Sequence, residues 1–153
     1  RRLGTKYLDE TAPSLDAALE RAQDYARRGV ARSIGLEINA VDLLAALVAR
    51  GITPDVLTDQ TSAHDALLGY VPNGVSFAEA ARLRERTPEE YVRRSMAAMA
   101  DHVRAMLTLQ SRGAITFDYG NNLRAQAQRI SARHGAAGVS MGLFPRPVAG
   151  DAR

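Results

Sequence analysis

Short apolar runs alternate along this chain with longer stretches in which apolar residues recur every three or four positions. That alternation constrains the fold more than any other feature. A few consecutive apolar residues suit a buried strand, and recurrence at three and four suits one face of a helix. Ser14 can cap a helix marked by Leu15, Ala18, Leu19, Ala22 and Ala26, which Gly29 stops. Val30 to Ile38 reads as a strand, Asn39 and Ala40 as a turn, and Val41 to Arg50 as a second helix stopped by Gly51. Asp55 to Thr58 reads as a further strand, and a short extended piece is expected around Lys6, Tyr7 and Leu8. Helix, strand, helix, strand implies an α/β fold with a mostly parallel sheet and crossover helices.

The second half continues the pattern after one interruption. Gln60 to Val75 is long for a loop in a compact domain. Loops beyond about 12 residues without secondary structure are usually functional or disordered. Leu67 and Leu68 give this one apolar anchors, which favours an ordered, ligand-facing loop. A short helix is expected from Ser76 to Arg84. Thr87, Pro88 and Glu90 predict the start of a long one, with Thr87 as cap and Tyr91, Met96, Met99, Val103, Met106 and Leu107 buried. Gly113 ends it. Ala114 to Tyr119 reads as a strand, Gly120 to Asn122 as a tight turn, and Leu123 to Arg133 as a last helix. The domain is expected to span residues 1–135, with 136–153 a weakly ordered, Gly/Pro/Ala-rich tail.

The chemistry is concentrated at strand ends. Thr58-Asp59-Gln60-Thr61-Ser62-Ala63-His64-Asp65 is polar throughout except for one alanine, and follows the apolar Val56 and Leu57. In a parallel sheet the C-terminal strand ends share one edge, where ligands bind. Asn39, the Gln60 to Asp65 run and Asp118 to Asn122 can therefore converge. Amides, hydroxyls and backbone N–H groups suit a ligand carrying ribose and phosphate, and Gly120-Asn121-Asn122 opens a helix whose positive end favours phosphate. No G-x-G-x-x-G and no P-loop is present. Ser62, His64 and Asp65 lie too close in sequence to favour a hydrolase triad. His102 reads as a structural or surface histidine, and His134 as a favourable charge near a helix end.

Composition narrows the classes. Of 153 residues, 24% are charged and the formal net charge is +3, with many arginines spaced among acids on helix faces. That is a solvated surface without the aromatic interleaving of a nucleic-acid site. The chain has no cysteine, hence no disulfide framework and no thiolate metal site, and its three histidines have no zinc spacing. No apolar run reaches the roughly 20 residues of a membrane span, and no signal-peptide pattern opens the chain. A cytoplasmic setting is expected. The chain opens on Arg1-Arg2-Leu3 and reads as a piece of a larger enzyme.

The string T-D-Q-T-S-A-H-D, followed by Gly69, Tyr70 and Pro72, resembles the urocanase family, the urocanate hydratases of histidine breakdown. Phe117-Asp118-Tyr119-Gly120-Asn121-Asn122-Leu123-Arg124 is a second match, Asn39 and Ala40 after Ser33-Ile34-Gly35-Leu36 a third, and Thr5 to Glu10 a weaker one. The resemblance runs from about Arg2 to Arg124 and fades beyond.

It implies a Rossmann-like domain that binds NAD, in a lyase that adds water to urocanate to give imidazolone propionate and acts as a homodimer. The implied cofactor contacts are Asn39, Ala40, Gln60, Thr61, Ser62, Ala63, His64, Tyr70, Val71 and Tyr119. The family's catalytic cysteine belongs to a core domain and its Gly-rich turn would precede Arg1, so no catalytic residue is expected in this chain. Ile38 stands where the family usually has Gly, Ala66 where it has Pro and Leu68 where it has Asn, and a Trp expected near Val75 is missing. Ile38, Ala66 and Leu68 suggest one alternative, a hydratase of a modified urocanate; a second is a non-catalytic NAD-binding remnant whose hydratase partner domains are lost.

Overall fold

Glu10–Ala12 (β1) and Ile34–Leu36 (β2) pair in parallel, Glu10 opposite Ile34 and Ala12 opposite Leu36, with the helix Leu15–Arg27 (α1) between them in sequence. The computed structural model describes residues 7–134. Ser14 caps α1 as expected, its hydroxyl accepting from the Ala17 N–H at 3.2 Å. The chain leaves the helix through Gly29 at φ +65°, a left-handed turn that glycine adopts without steric cost. The strands are shorter than expected. The extended piece of the lead-in falls at Glu10–Ala12 rather than around Tyr7, and only the centre of Val30 to Ile38 is a strand. Ser33 is diverted into polar bonding, its N–H and hydroxyl both donating to the Asp9 carboxylate at 2.8 Å.

Residues 1–38 form one compact unit and 39–153 a second. In the second, Ala40–Ala49 (α2) is capped by Asn39, whose side-chain oxygen accepts from the Val41 N–H at 2.9 Å. Val56–Asp59 (β3) and Ile115–Asp118 (β4) pair in parallel from Val56 opposite Ile115 to Asp59 opposite Asp118. Phe77–Arg86 (α3) and Pro88–Ser111 (α4) lie between them in sequence, and Leu123–His134 (α5) follows. Among the described residues the parallel strands thus form two two-stranded ladders rather than one continuous sheet.

The helix starts differ in how they are capped. A full capping box opens α3, Ser76 accepting from the Glu79 N–H while the Glu79 carboxylate accepts from the Ser76 N–H. Thr87 is the N-cap of α4 as expected, with Pro88 in the first turn, but its side chain makes no cap hydrogen bond. Thr87 is the single residue between two helices, and its hydroxyl donates back to the Leu83 carbonyl of α3.

The core of this unit is one face of α4. Tyr91, Met99, Val103, Met106 and Leu109 are fully buried, and the helix packs against α2, α3 and α5. Met96 and Leu107, expected in the core, are only half-buried, because both lie along the same edge of that face, about three turns apart. Burying an aliphatic or Met side chain contributes roughly 1.5–3 kcal/mol, so this seam dominates the unit's stability. The outer helix faces carry acid–base pairs at three and four residues, Arg94 with Glu90 and Arg104 with Asp101 among them. No helix among the described residues is long and apolar enough to cross a membrane. The tail expected over 136–153 and the side chain of His134 lie outside the described residues.

Candidate functional site

The paired register of β3 and β4 puts Asp59 and Asp118 side by side, so the residues after them leave the same end of the ladder. From that end, Gln60 to Val75 forms a loop without helix or strand, held by its own hydrogen bonds. The Asp65 carboxylate accepts from the Leu67 and Leu68 N–H groups at 2.8 and 2.9 Å, which holds its pKa below the ordinary carboxylate range. The Gly69 N–H donates to the Asp65 carbonyl. A Cβ on Gly69 would lie 2.4 Å from the Ser62 carbonyl oxygen, so the loop folds back on itself where only glycine fits. Asp65 faces its own loop's N–H groups, which leaves no triad with Ser62 and His64.

Beneath the loop lies a buried polar network. Asp59, only 4% exposed, accepts from the Thr61 N–H and hydroxyl, each at 3.0 Å, and from the Asn121 side-chain amide. That amide also donates to the Thr61 carbonyl at 2.8 Å, and the Asn121 oxygen accepts from the Leu123 N–H at 3.3 Å. One side chain therefore joins the end of β3, the start of the loop and the first turn of α5.

On the other side of Asp59 is His102, 2% exposed, with Nε2 3.8 Å from the carboxylate and Nδ1 3.0 Å from the Tyr70 hydroxyl. A proton on Nε2, facing the carboxylate, leaves Nδ1 to accept from Tyr70. Burial lowers the His102 pKa, which the Asp59 charge partly offsets. Burial, then the nearby carboxylates, pushes the Tyr70 hydroxyl well above its ordinary value, so it remains a donor. Helix α4 also holds the Tyr70 carbonyl, which accepts from the Tyr91 hydroxyl at 3.0 Å and from the Ser95 hydroxyl at 3.3 Å. Arg84 stacks over the Tyr91 ring and donates to its hydroxyl.

The sequence-predicted residues divide into two groups on this frame. Gln60, Ser62, His64 and Tyr119 are exposed. Tyr119 is 68% exposed, and its ring meets Phe117 edge-on at 5.7 Å between centroids. The other group is engaged inside the protein. Asn39 caps α2 and donates its amide to the Val71 carbonyl at 3.0 Å, joining two of the predicted residues. Ala40 is the first residue of α2, half-buried. Thr61 is bonded to Asp59, and Ala63 and Tyr70 are buried, so the Tyr70 ring, read as a stacking surface, is packed inside. In the turn Gly120 to Asn122, one N–H expected for phosphate is already engaged, that of Gly120 by the Asp118 carboxylate, and just beyond the turn the Leu123 N–H is taken by Asn121. A cleft of about 320 Å³ lined by Asp118, Gly120, Asn122, Arg124 and Gln128 adjoins the turn.

The chain matches the family described as the urocanase Rossmann-like domain over residues 1–144. It belongs to the urocanase family. The match covers nearly the whole chain and extends past Arg124, where the resemblance was expected to fade. The Rossmann-like, parallel α/β character follows from it and from the two parallel ladders.

Sequence reasoning missed what holds the loop. His102 is structural and lies wholly in the interior. The signal was its spacing: Tyr91, Ser95 and His102 recur at four and seven along α4, one polar row on a buried face. Asp59 passed for one more polar residue of the run. Among the described residues no cluster of three potential metal ligands occurs.

Proposed function

We propose that this chain is the NAD-binding part of a urocanate hydratase, the lyase that adds water to urocanate to give imidazolone propionate in histidine breakdown. The observation that carries the reading is the braced loop after β3, with Gln60, Ser62 and His64 turned outward at the ladder end from which Tyr119 also emerges. This donor and acceptor set suits a dinucleotide. The Gln60 amide and the Ser62 hydroxyl can bond ribose hydroxyls or phosphate oxygens, His64 can donate to a phosphate oxygen, and the exposed Tyr119 ring offers a stacking face. Asn39, Ala40, Thr61, Ala63, Tyr70 and Val71 shape the backbone around them. When bound, NAD⁺ supplies an electron-poor nicotinamide ring to the imidazole of the substrate. This chain's residues hold and orient the cofactor, while the reacting groups on the substrate side come from the core domain. We take the parent enzyme to be a cytoplasmic homodimer that binds a small imidazole acid.

The test is calorimetric titration of NAD⁺ into the nucleotide-free full-length protein, with loss of urocanate absorbance as a parallel assay. We expect saturable binding and turnover, with affinity reduced at least about tenfold in the Gln60→Ala, His64→Ala double variant (1.4 kcal/mol per decade). A folded protein that binds no NAD⁺ and leaves urocanate unchanged overturns the reading.

A further inference from the structure

We propose that Asp59, Asn121 and His102 are positioning residues for the cofactor: without touching it, they fix both ends of the loop whose outward side chains bind it. The inference rests on the reading above and adds three determinants of its affinity. The first end of the loop is Thr61. Its N–H and hydroxyl are bound by Asp59, and its carbonyl by Asn121, so every polar group of that residue on the inner side is committed. The second end is Tyr70, whose hydroxyl meets His102 and whose carbonyl is held by Tyr91 and Ser95. Asp59 lies between the two, bonded toward Thr61 and 3.8 Å from His102, a separation bridged by electrostatic attraction rather than a direct hydrogen bond. Gly69 meeting the Ser62 carbonyl closes the loop between its two fixed ends.

The physical consequence is pre-organisation. A loop held before the ligand arrives does not lose its backbone freedom on binding, so fixing it raises affinity without adding a contact. The network is largely buried and, apart from the 3.8 Å gap between His102 and Asp59, hydrogen-bonded, which makes it sensitive: removing one partner leaves another polar group without its bond. Asn121 is the most exacting position, because the same amide both donates to Asp59 and accepts at α5. An aspartate there would lose both donors and bring a second carboxylate against the first.

The experiment titrates NAD⁺ into nucleotide-free full-length protein carrying Asn121→Ala, Asn121→Asp, His102→Ala or His102→Gln, with thermal melting to establish folding. We expect Kd to rise about tenfold or more in Asn121→Ala and His102→Ala. Asn121→Asp should be worse than Asn121→Ala. His102→Gln, whose amide can accept from Tyr70 and donate toward Asp59, should recover most of the loss. At saturating NAD⁺ the kcat of each folded variant should return toward wild type, because the outward side chains are unchanged. A role in folding alone gives a different result: fewer binding sites per molecule with unchanged Kd in the folded fraction, and that result overturns the proposal. Wild-type affinity in folded Asn121→Ala and His102→Ala also overturns it, while leaving the assigned function intact. A wild-type protein that binds no NAD⁺ removes the function and this inference together.

Discussion

The two units bury their residues in different ways. In residues 1–38, α1 has no buried residue, and Ala22 and Ala26 of its expected core face are exposed. Its ladder is short and its visible fastenings are polar: Ser33 bonded to Asp9, and Arg21 bonded to Glu10 and to the Thr11 carbonyl. In residues 39–153, α4 buries an apolar face along its length and turns a row of polar side chains toward the loop. The difference shows where this fold keeps its rigidity. The loop that carries the candidate ligand groups is tied to the unit with the more deeply buried helix, so packing backs the part that must be held in place.

The largest effect should come from breaking the seam of the second unit. Leu109 is fully buried at the end of α4, and the N–H of Ala114 bonds its carbonyl as the chain turns toward β4. Leu109→Ala should cost about 2–5 kcal/mol in denaturant unfolding, the lost transfer energy plus a cavity. The same change in the first unit, Leu19→Ala, removes a half-buried side chain and should cost about 1 kcal/mol. Equal costs would remove the contrast.

A smaller effect separates the units by pH. His102 is buried in the second unit, and that burial holds its pKa below 6.5. Below pH 6.5 the unfolded chain takes up a proton that the folded chain refuses, so more protons are bound in the unfolded state and stability falls as pH falls. The loss levels off once the folded His102 also protonates. Melting temperature should therefore decline as pH is lowered through 6.5, and His102→Gln should flatten that decline. An unchanged slope in the variant would mean that another group governs it.

Much of this was legible in the sequence, for definite reasons. Helix ends were largely legible because they are local chemistry: Ser14 caps α1, and Gly29 and Gly51 stop α1 and α2 in left-handed turns, while Asn39, read as part of a turn, proves to cap α2 with Ala40 already helical. The loop was legible because a dense polar run follows β3. Strand lengths were not: the Ser33 carbonyl still accepts from the Asp9 and Glu10 N–H groups, but its N–H goes to the Asp9 carboxylate, and nothing near it in sequence names Asp9 as the partner. Thr87 takes the expected cap position without the cap bond, because its hydroxyl serves the helix before it. Least legible was the network beneath the loop. Asp59, Tyr70, His102 and Asn121 are far apart in sequence and converge only once the β3–β4 register is fixed, so a single-residue reading could at best note the polar row on α4.

The smallest effect should come from the polar fastenings of the first unit. Arg21 donates to the Glu10 carboxylate at 2.9 Å and to the Thr11 carbonyl at 3.0 Å, tying α1 to β1. Its side chain is 40% exposed and that of Glu10 26%, so water competes for both charges and salt screens them. Exposed pairs of this kind contribute about 0–1 kcal/mol. Arg21→Met keeps the aliphatic stem against the helix and removes only the charge and its two bonds. It should lower stability by less than about 1 kcal/mol at low salt and by still less at high salt. NAD⁺ affinity should not change, since every tie of the 60–71 loop named above lies in the second unit. A loss of several kcal/mol would show that the first unit depends on this one tie, and that its sparse burial is compensated by polar bonding stronger than exposed pairs supply.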